Sequence, residues 1–175
     1  MARHAYPSLE NLSPRLAGEI RKRTGPDRGN VWKMLMWSPG IAEPFIDFND
    51  AVRYKISLPD SLRELIILRV GYLCDAAYEI HHHIRISREI GMSEELIAAP
   101  KVGANAAGLD ATERLGPSLT DDLVKDRKAS DANLTQAIKV FGESGLNEII
   151  MLVGCYVLAC MLLRTWGVDI EQPKT

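Results

Sequence analysis

Apolar residues recur three and four positions apart along almost the whole chain, and strict apolar–polar alternation is nearly absent. The pattern therefore predicts helices and no sheet. Leu9, Leu12, Leu16 and Ile20 form one stripe, which predicts a helix from Leu9 to Arg23, ended by Thr24-Gly-Pro-Asp27. Val31 to Trp37 predicts a short helix stopped by Ser38-Pro39-Gly40. Ile41 to Lys55 carries Phe45, Phe48 and Val52 on one face and stops before Leu58-Pro59-Asp60. Ser61 to Ile90 reads as one long central helix, with Gly91 placed to cap it. Ser93-Glu94-Glu95 opens the next, which Pro100 limits. Lys101 to Ser130 predicts helix in pieces, with Gly116-Pro117 either kinking one helix or separating two. Asp131 to Phe141 and Leu146 to Trp166 close the fold, Gly167 capping the last helix. The polar tail from Glu171 is expected to fray.

A short phrase occurs twice. Leu62-Arg-Glu-Leu-Ile-Ile-Leu68 parallels Leu146-Asn-Glu-Ile-Ile-Met-Leu152, each opening a long apolar segment. The second copy has no histidine and no second carboxylate downstream. Its Glu148 therefore reads as a helix-start residue at the positive end of the helix dipole.

Composition narrows the function classes. The 175 residues suit one domain with a real core, 1–175, in which 1–30 form an N-terminal arm and helix. A net charge of -2 offers no field for nucleic acid or an anionic membrane. The one basic cluster, Arg21-Lys22-Arg23 with Arg28, has no aromatic interleaving, so no nucleic-acid partner is expected. Cys74, Cys155 and Cys160 make neither a CxxC motif nor an even disulfide set, which fits a reducing, cytoplasmic setting. No apolar signal region stands near Met1 to Pro7. The most apolar run, Ile149 to Leu163, falls short of the roughly 20 residues that cross a bilayer, so no membrane partner is expected.

Chemistry concentrates in the central segment. Glu79 and His83 are four apart, which puts both on one helix face. A carboxylate beside an imidazole raises its pKa and orients it, an arrangement suited to proton transfer. A plain surface ion pair is the alternative. Ser61-x-x-Glu64 has the form of a capping box, in which Glu64 bonds back to the Ser61 amide. Tyr78 offers a donor to a substrate carboxylate or enolate, or is a half-buried core tyrosine. Arg69 offers a bidentate fork for a substrate carboxylate, or makes a structural salt bridge. Arg85 and Arg88 read as solvated.

His81-His82-His83 cannot converge on one ion, because neighbouring helical side chains point about 100° apart. Glu79 with His83 or His82 supplies two ligands at most, and His4 is remote in a mobile N-terminus, so no metal and no cofactor are expected. Cys155 and Cys160 read as small buried hydrophobes.

The stretch from Glu64 to His83 resembles the carboxymuconolactone decarboxylase and alkyl hydroperoxidase D family, whose peroxidase members read Glu-x11-Cys-x2-Cys-x3-His. The frame falls on Glu64 and His83, while Ala76 and Glu79 stand at the two cysteine positions. Cys74, two residues early on a continuous helix, would point about 200° away and is no displaced substitute. Asn30 to Phe45, Gly91 to Ile97 and Leu146 to Gly167 are similar to other parts of the family pattern.

The resemblance implies an all-α bundle of six to eight helices that assembles as a homo-oligomer, dimer to hexamer. It also implies a site formed by Glu64, Glu79 and His83, with Glu64 lining it and passing protons. The expected activity is a cofactor-free lyase or isomerase, in which His83 protonates a small lactone or other carboxylate, with Tyr78 and Arg69 available to bind it. The alternatives are a peroxidase-like oxidoreductase of the same fold and a non-catalytic small-molecule-binding or scaffold protein.

Overall fold

The computed structural model describes residues 2–10, 12–25 and 29–171. It is all-α, with eight helices among the described residues: α1 Pro14–Arg23, α2 Asn30–Leu35, α3 Pro39–Tyr54, α4 Asp60–Leu73, α5 Ala77–Glu89, α6 Glu94–Val102, α7 Ala111–Lys125 and α8 Asp131–Trp166. Local chemistry sets most starts. Ser13, Ser93 and Ser130 accept the amides of Leu16, Leu96 and Asn133, and Asp110 with Glu113 forms a capping box. The first helix accordingly begins at Pro14 rather than Leu9, since Ser13 caps it and proline suits its first turn.

The centre of the bundle is α4, packed against α5, α6, α7 and α8. Every residue from Leu62 to Gly71 is buried, as expected of a helix enclosed on all sides. Gly116 lets α7 approach it: a Cβ there would stand 2.7 Å from Leu62 Cδ1. Gly116-Pro117 therefore lies inside a continuous α7 and neither divides nor ends it.

The predicted central helix from Ser61 to Ile90 is two helices. The chain leaves α4 at Cys74, passes through Asp75 in the left-handed region at φ 52°, and re-enters helix after Ala76. Aspartate tolerates that conformation better than most residues. The α5 helix then folds back along α4, with Ile80 beside Gly71. The predicted closing pair matches α8, whose two helical segments meet at a kink at Gly142, where φ 67° and ψ 176° are open to glycine alone. By length and composition α8 is apolar enough to cross a membrane, unlike the shorter run read from sequence. Half of its most apolar window is nevertheless buried in the fold, as in a core helix.

Both chain ends are held more firmly than their composition suggests. The Arg3 amide donates to the Trp166 carbonyl (2.8 Å), and the His4 ring lies 5.2 Å from Trp37 and 5.7 Å from Trp166. His4 is thus docked against the end of α8 rather than mobile. Arg28 and the tail beyond Glu171 lie outside the described residues.

Candidate functional site

The fold-back of α5 creates the site. On one continuous helix Glu64 and His83 would sit roughly 28 Å apart, at about 1.5 Å per residue. Across the α4–α5 hairpin, His83 Nδ1 lies 2.6 Å from Glu64 Oε2. Its Nε2 lies 3.0 Å from Glu79 Oε1, one turn earlier on α5. The imidazole is therefore clamped between two carboxylates, and its ring stands edge-on to Tyr156 at 5.2 Å.

The three members are not equivalent. Glu64 is fully buried (0% exposed) and sits behind His83, whereas Glu79 and His83 line an open cavity of about 600 Å³. The capping reading of Glu64 fails for a local reason. The helix starts one residue earlier, at Asp60 after Pro59, so Ser61 is inside it and has no cap to complete. Nor does Glu64 line the cavity; it supports His83 from the rear, and Arg63 Nε donates to its other oxygen at 3.2 Å.

Electrostatics make the histidine a cation. Burial alone would push the His83 pKa down, but the charges of Glu64 and Glu79 and the hydrogen bonds to them outweigh it and raise it to about 9. Burial likewise works to raise the Glu64 pKa, and the neighbouring His83 and Arg63 charges reverse this and lower it. At neutral pH the centre holds an imidazolium with both N–H groups engaged, which is a stored proton rather than a free base.

A second network flanks the first. Tyr78 and His82 line the same cavity, and both bind Glu171. The Tyr78 hydroxyl donates to Glu171 Oε1 at 2.8 Å, His82 Nε2 lies 2.9 Å from Oε2, and the Asn30 amide donates to Oε1 at 2.6 Å. The Glu171 side chain is thus only 4% exposed instead of fraying, because three donors meet its carboxylate. Burial drives the Tyr78 pKa well up, and Glu171 adds to it, so the phenol stays protonated. Burial also lowers the His82 pKa despite Glu171, giving two adjacent histidines with opposite tendencies.

Arg69 is not part of the cavity. It forks onto Asp121 at 2.5 and 2.9 Å and donates to the Pro100 carbonyl at 2.9 Å, tying α4 to α7 and α6. Those bonds occupy the groups that would have met a substrate, so the structural alternative holds. Among the described residues no three His, Cys, Asp or Glu side chains form a group suited to a metal ion. Arg23, Arg53, Arg63 and Arg85 do line the cavity, and Arg53 of α3 does so together with Asn49 one turn before it. Neither is marked by any motif.

The helix break changes the cysteine geometry as well. Ala76 is the N-cap of α5, so a rotation counted from Cys74 along one helix does not apply. Cys74 ends α4 half-buried, and the buried Cys160 of α8 hydrogen-bonds to it. That bond lowers the Cys74 pKa to about 7, with Arg164 and Arg127 contributing, against the opposing effect of burial.

Residues 39–115 match the carboxymuconolactone decarboxylase family, and this span holds Arg53, Glu64, Tyr78, Glu79 and His83. No curated protein matches the chain. Among solved structures, the chain is similar to an alkylhydroperoxidase AhpD core, an uncharacterised peroxidase-related protein from Ralstonia eutropha JMP134. The TM-score is 0.85 at 18% identity, over 99% of this chain and 98% of that one. An uncharacterised peroxidase-related protein from Silicibacter sp. TM1040 gives a TM-score of 0.82 at 13% identity, over 96% and 91%. A protein of unknown function from Agrobacterium tumefaciens gives 0.72 at 19% identity, over 77% and 93%.

Proposed function

We propose, from the premise that the chain belongs to the carboxymuconolactone decarboxylase and alkyl hydroperoxidase D-like family, that it is a cofactor-free lyase or isomerase. It would act by proton transfer on a small lactone or other carboxylate. The observation that carries this reading is the clamped His83, a buried cation between Glu64 and Glu79 at the wall of a ligand-sized cavity.

The division of labour follows from the geometry. Glu64 fixes the orientation of His83 and keeps it charged. As a substrate loses carbon dioxide, the electron pair of the breaking C–C bond passes into an enolate-like system, and a carbon atom of that system takes up a proton. Since both nitrogens of His83 are engaged, the proton leaves through Glu79, or from Nε2 once substrate displaces Glu79. Water then restores the imidazolium. Acid–base help of this kind supplies about 10²–10⁴-fold in rate. The flanking Tyr78 hydroxyl is oriented by Glu171 and helps to shape the substrate side of the cavity.

The test is ultraviolet-monitored turnover of 4-carboxymuconolactone and related lactones by wild type and His83→Ala. Turnover that disappears in the variant is the expected result, and turnover that survives it would overturn the reading.

One observation favours a second reading, a thiol-dependent peroxidase. Cys74 and Cys160 are hydrogen-bond partners, and the Cys74 thiol is held near neutral pKa. The Cys74 thiolate would attack a peroxide, releasing an alcohol or water and leaving a sulfenic acid. Cys160 would then close a disulfide with loss of water, and an external dithiol would reduce it. Peroxide consumption with a dithiol donor that is lost on Cys74→Ser would support this reading over the first.

The homo-oligomer expected of the family would use the apolar stripe of Ile150, Met151, Leu158 and Met161, which α8 leaves exposed. Light scattering on the purified protein measures it.

A further inference from the structure

The cavity wall contains two buried polar atoms with no partner among the described residues, Arg53 Nε and Asn49 Oδ1. They belong to residues four apart on α3, so both side chains leave the same helix face, and both line the cavity that Glu79 and His83 line. Buried polar groups are paired in the great majority of cases, and two orphans on one face mark a place where something else binds.

The other cations of this cavity are engaged. Lys22 pairs with Glu19, and Arg23 pairs with Glu19 and Asp50. Arg63 pairs with Asp60 and Glu64, and Arg85 with Glu89. Arg53 alone among the described lining cations has neither ion pair nor hydrogen bond; its guanidinium rests over the Tyr54 ring at 4.8 Å. With Nε the buried atom, the terminal N–H groups of the guanidinium are those left for a ligand.

We propose that Arg53 and Asn49 form the substrate anchor of this cavity, specific for a small carboxylate that also carries a hydroxyl group. A guanidinium edge matches a carboxylate with two parallel N–H···O bonds. The Asn49 amide donates to Cys155 Sγ at 3.6 Å, which leaves its other end for the ligand. A hydroxyl both donates and accepts, so it satisfies that amide in either orientation. The anchor is also close to the clamp. Although burial works to lower the Arg53 pKa, the surrounding Tyr156, Tyr54, Glu64 and Glu79 raise it, so the guanidinium stays charged. A ligand held there by its carboxylate lies in the same cavity as Glu79 and His83. The proposal rests on the acid–base reading of the clamp for what happens to the rest of that ligand, and it deepens that reading by naming how the substrate is held.

The test measures binding without turnover. Binding is followed by ¹⁵N-correlated NMR, at the arginine Nε–H signals and, in every variant, at the backbone amides of α3, while 3-hydroxybutyrate or butyrate is added to wild type, Arg53→Gln, Arg53→Lys, Asn49→Ala and His83→Gln. The Arg53 Nε–H signal is expected to shift and saturate with 3-hydroxybutyrate, and butyrate to bind at least about threefold more weakly because it lacks the hydroxyl. Arg53→Gln should weaken 3-hydroxybutyrate at least about tenfold, and Asn49→Ala should remove the preference over butyrate.

Unchanged binding in Arg53→Gln, or no saturable shift with either acid, would overturn the proposal. If Arg53→Gln fails to fold by circular dichroism, Arg53→Lys decides: weaker carboxylate binding supports the anchor, and wild-type binding overturns it. His83→Gln should keep its affinity. Arg53-dependent binding together with turnover that is indifferent to His83 would sink the acid–base reading and leave the anchor standing. His83-dependent turnover with Arg53-independent binding would do the reverse.

Discussion

The chain carries the phrase Leu-x-Glu-[Leu/Ile]-Ile-x-Leu twice, at 62–68 and at 146–152, and the two glutamates have different fates. Glu64 is buried against His83, 2.6 Å from the ring. Glu148 lies part-way along α8 and accepts the Ser57 amide and hydroxyl at 2.9 and 2.8 Å, fastening the turn after α3. It lies six residues after the kink at Gly142, in the second turn of the helical segment that begins there. The phrase alone does not decide the outcome; where each helix ends does. After Leu68 the chain leaves α4 at Leu73, turns at Asp75 and brings a histidine back onto the glutamate. After Leu152 the helix runs on to Trp166, and nothing returns.

The largest break in this contrast is expected from Glu64→Leu. Removing this carboxylate leaves the buried His83 Nδ1–H and the Arg63 Nε–H without their partner, at a cost of about 3–5 kcal/mol, read as a lowered denaturation midpoint. The same change at Glu148 removes only two exposed hydrogen bonds and should cost about 1–2 kcal/mol, with turnover unaffected. Equal losses at the two sites would dissolve the comparison.

The pH dependence sharpens it. His83 has its pKa raised in the folded state, so the pair's contribution is complete below the ordinary 6.5 and fades as pH rises through about 9. Glu64 has its pKa lowered, so its contribution is complete above the ordinary 4.5 and is lost as pH falls below that. The melting-temperature gap between wild type and His83→Gln should thus be widest between about 4.5 and 6.5 and shrink on the alkaline side. A gap that grows above pH 7 would contradict the clamp.

Smaller effects test the two bends. Asp75→Ala puts an ordinary residue at φ 52° and should destabilise by about 1–2 kcal/mol, whereas Asp75→Gly should not. Gly142→Ala should cost about 1–3 kcal/mol, yet leave His83 titration unchanged, because that bend positions no member of the clamp.

Much of this was legible in the sequence, and what was not has specific causes. Spacing identified α2, α3 and α6 closely, and the four-residue step from Glu79 to His83 survives in the structure. The α4–α5 break went unread because Cys74-Asp75-Ala76 contains neither glycine nor proline, and apolar spacing continues across it. That one omission hid the hairpin that brings His83 onto Glu64, two residues that only the family resemblance puts in one site. Glu171 was invisible because its three donors come from Asn30, Tyr78 and His82, far away along the chain. Arg53 gave no signal because a single arginine on an amphipathic helix looks like any solvated residue. Arg69 makes the structural salt bridge that is one of its two readings, and only the partner, Asp121 on another helix, cannot be named from spacing.

The most direct measurement is an NMR titration of His83 in histidine-labelled protein, in wild type and in Glu64→Gln. The account predicts an imidazole that titrates near 9 in the wild type and falls towards or below 6.5 when the carboxylate behind it is neutralised. A wild-type His83 titrating at or below 6.5, or one indifferent to Glu64→Gln, would contradict it.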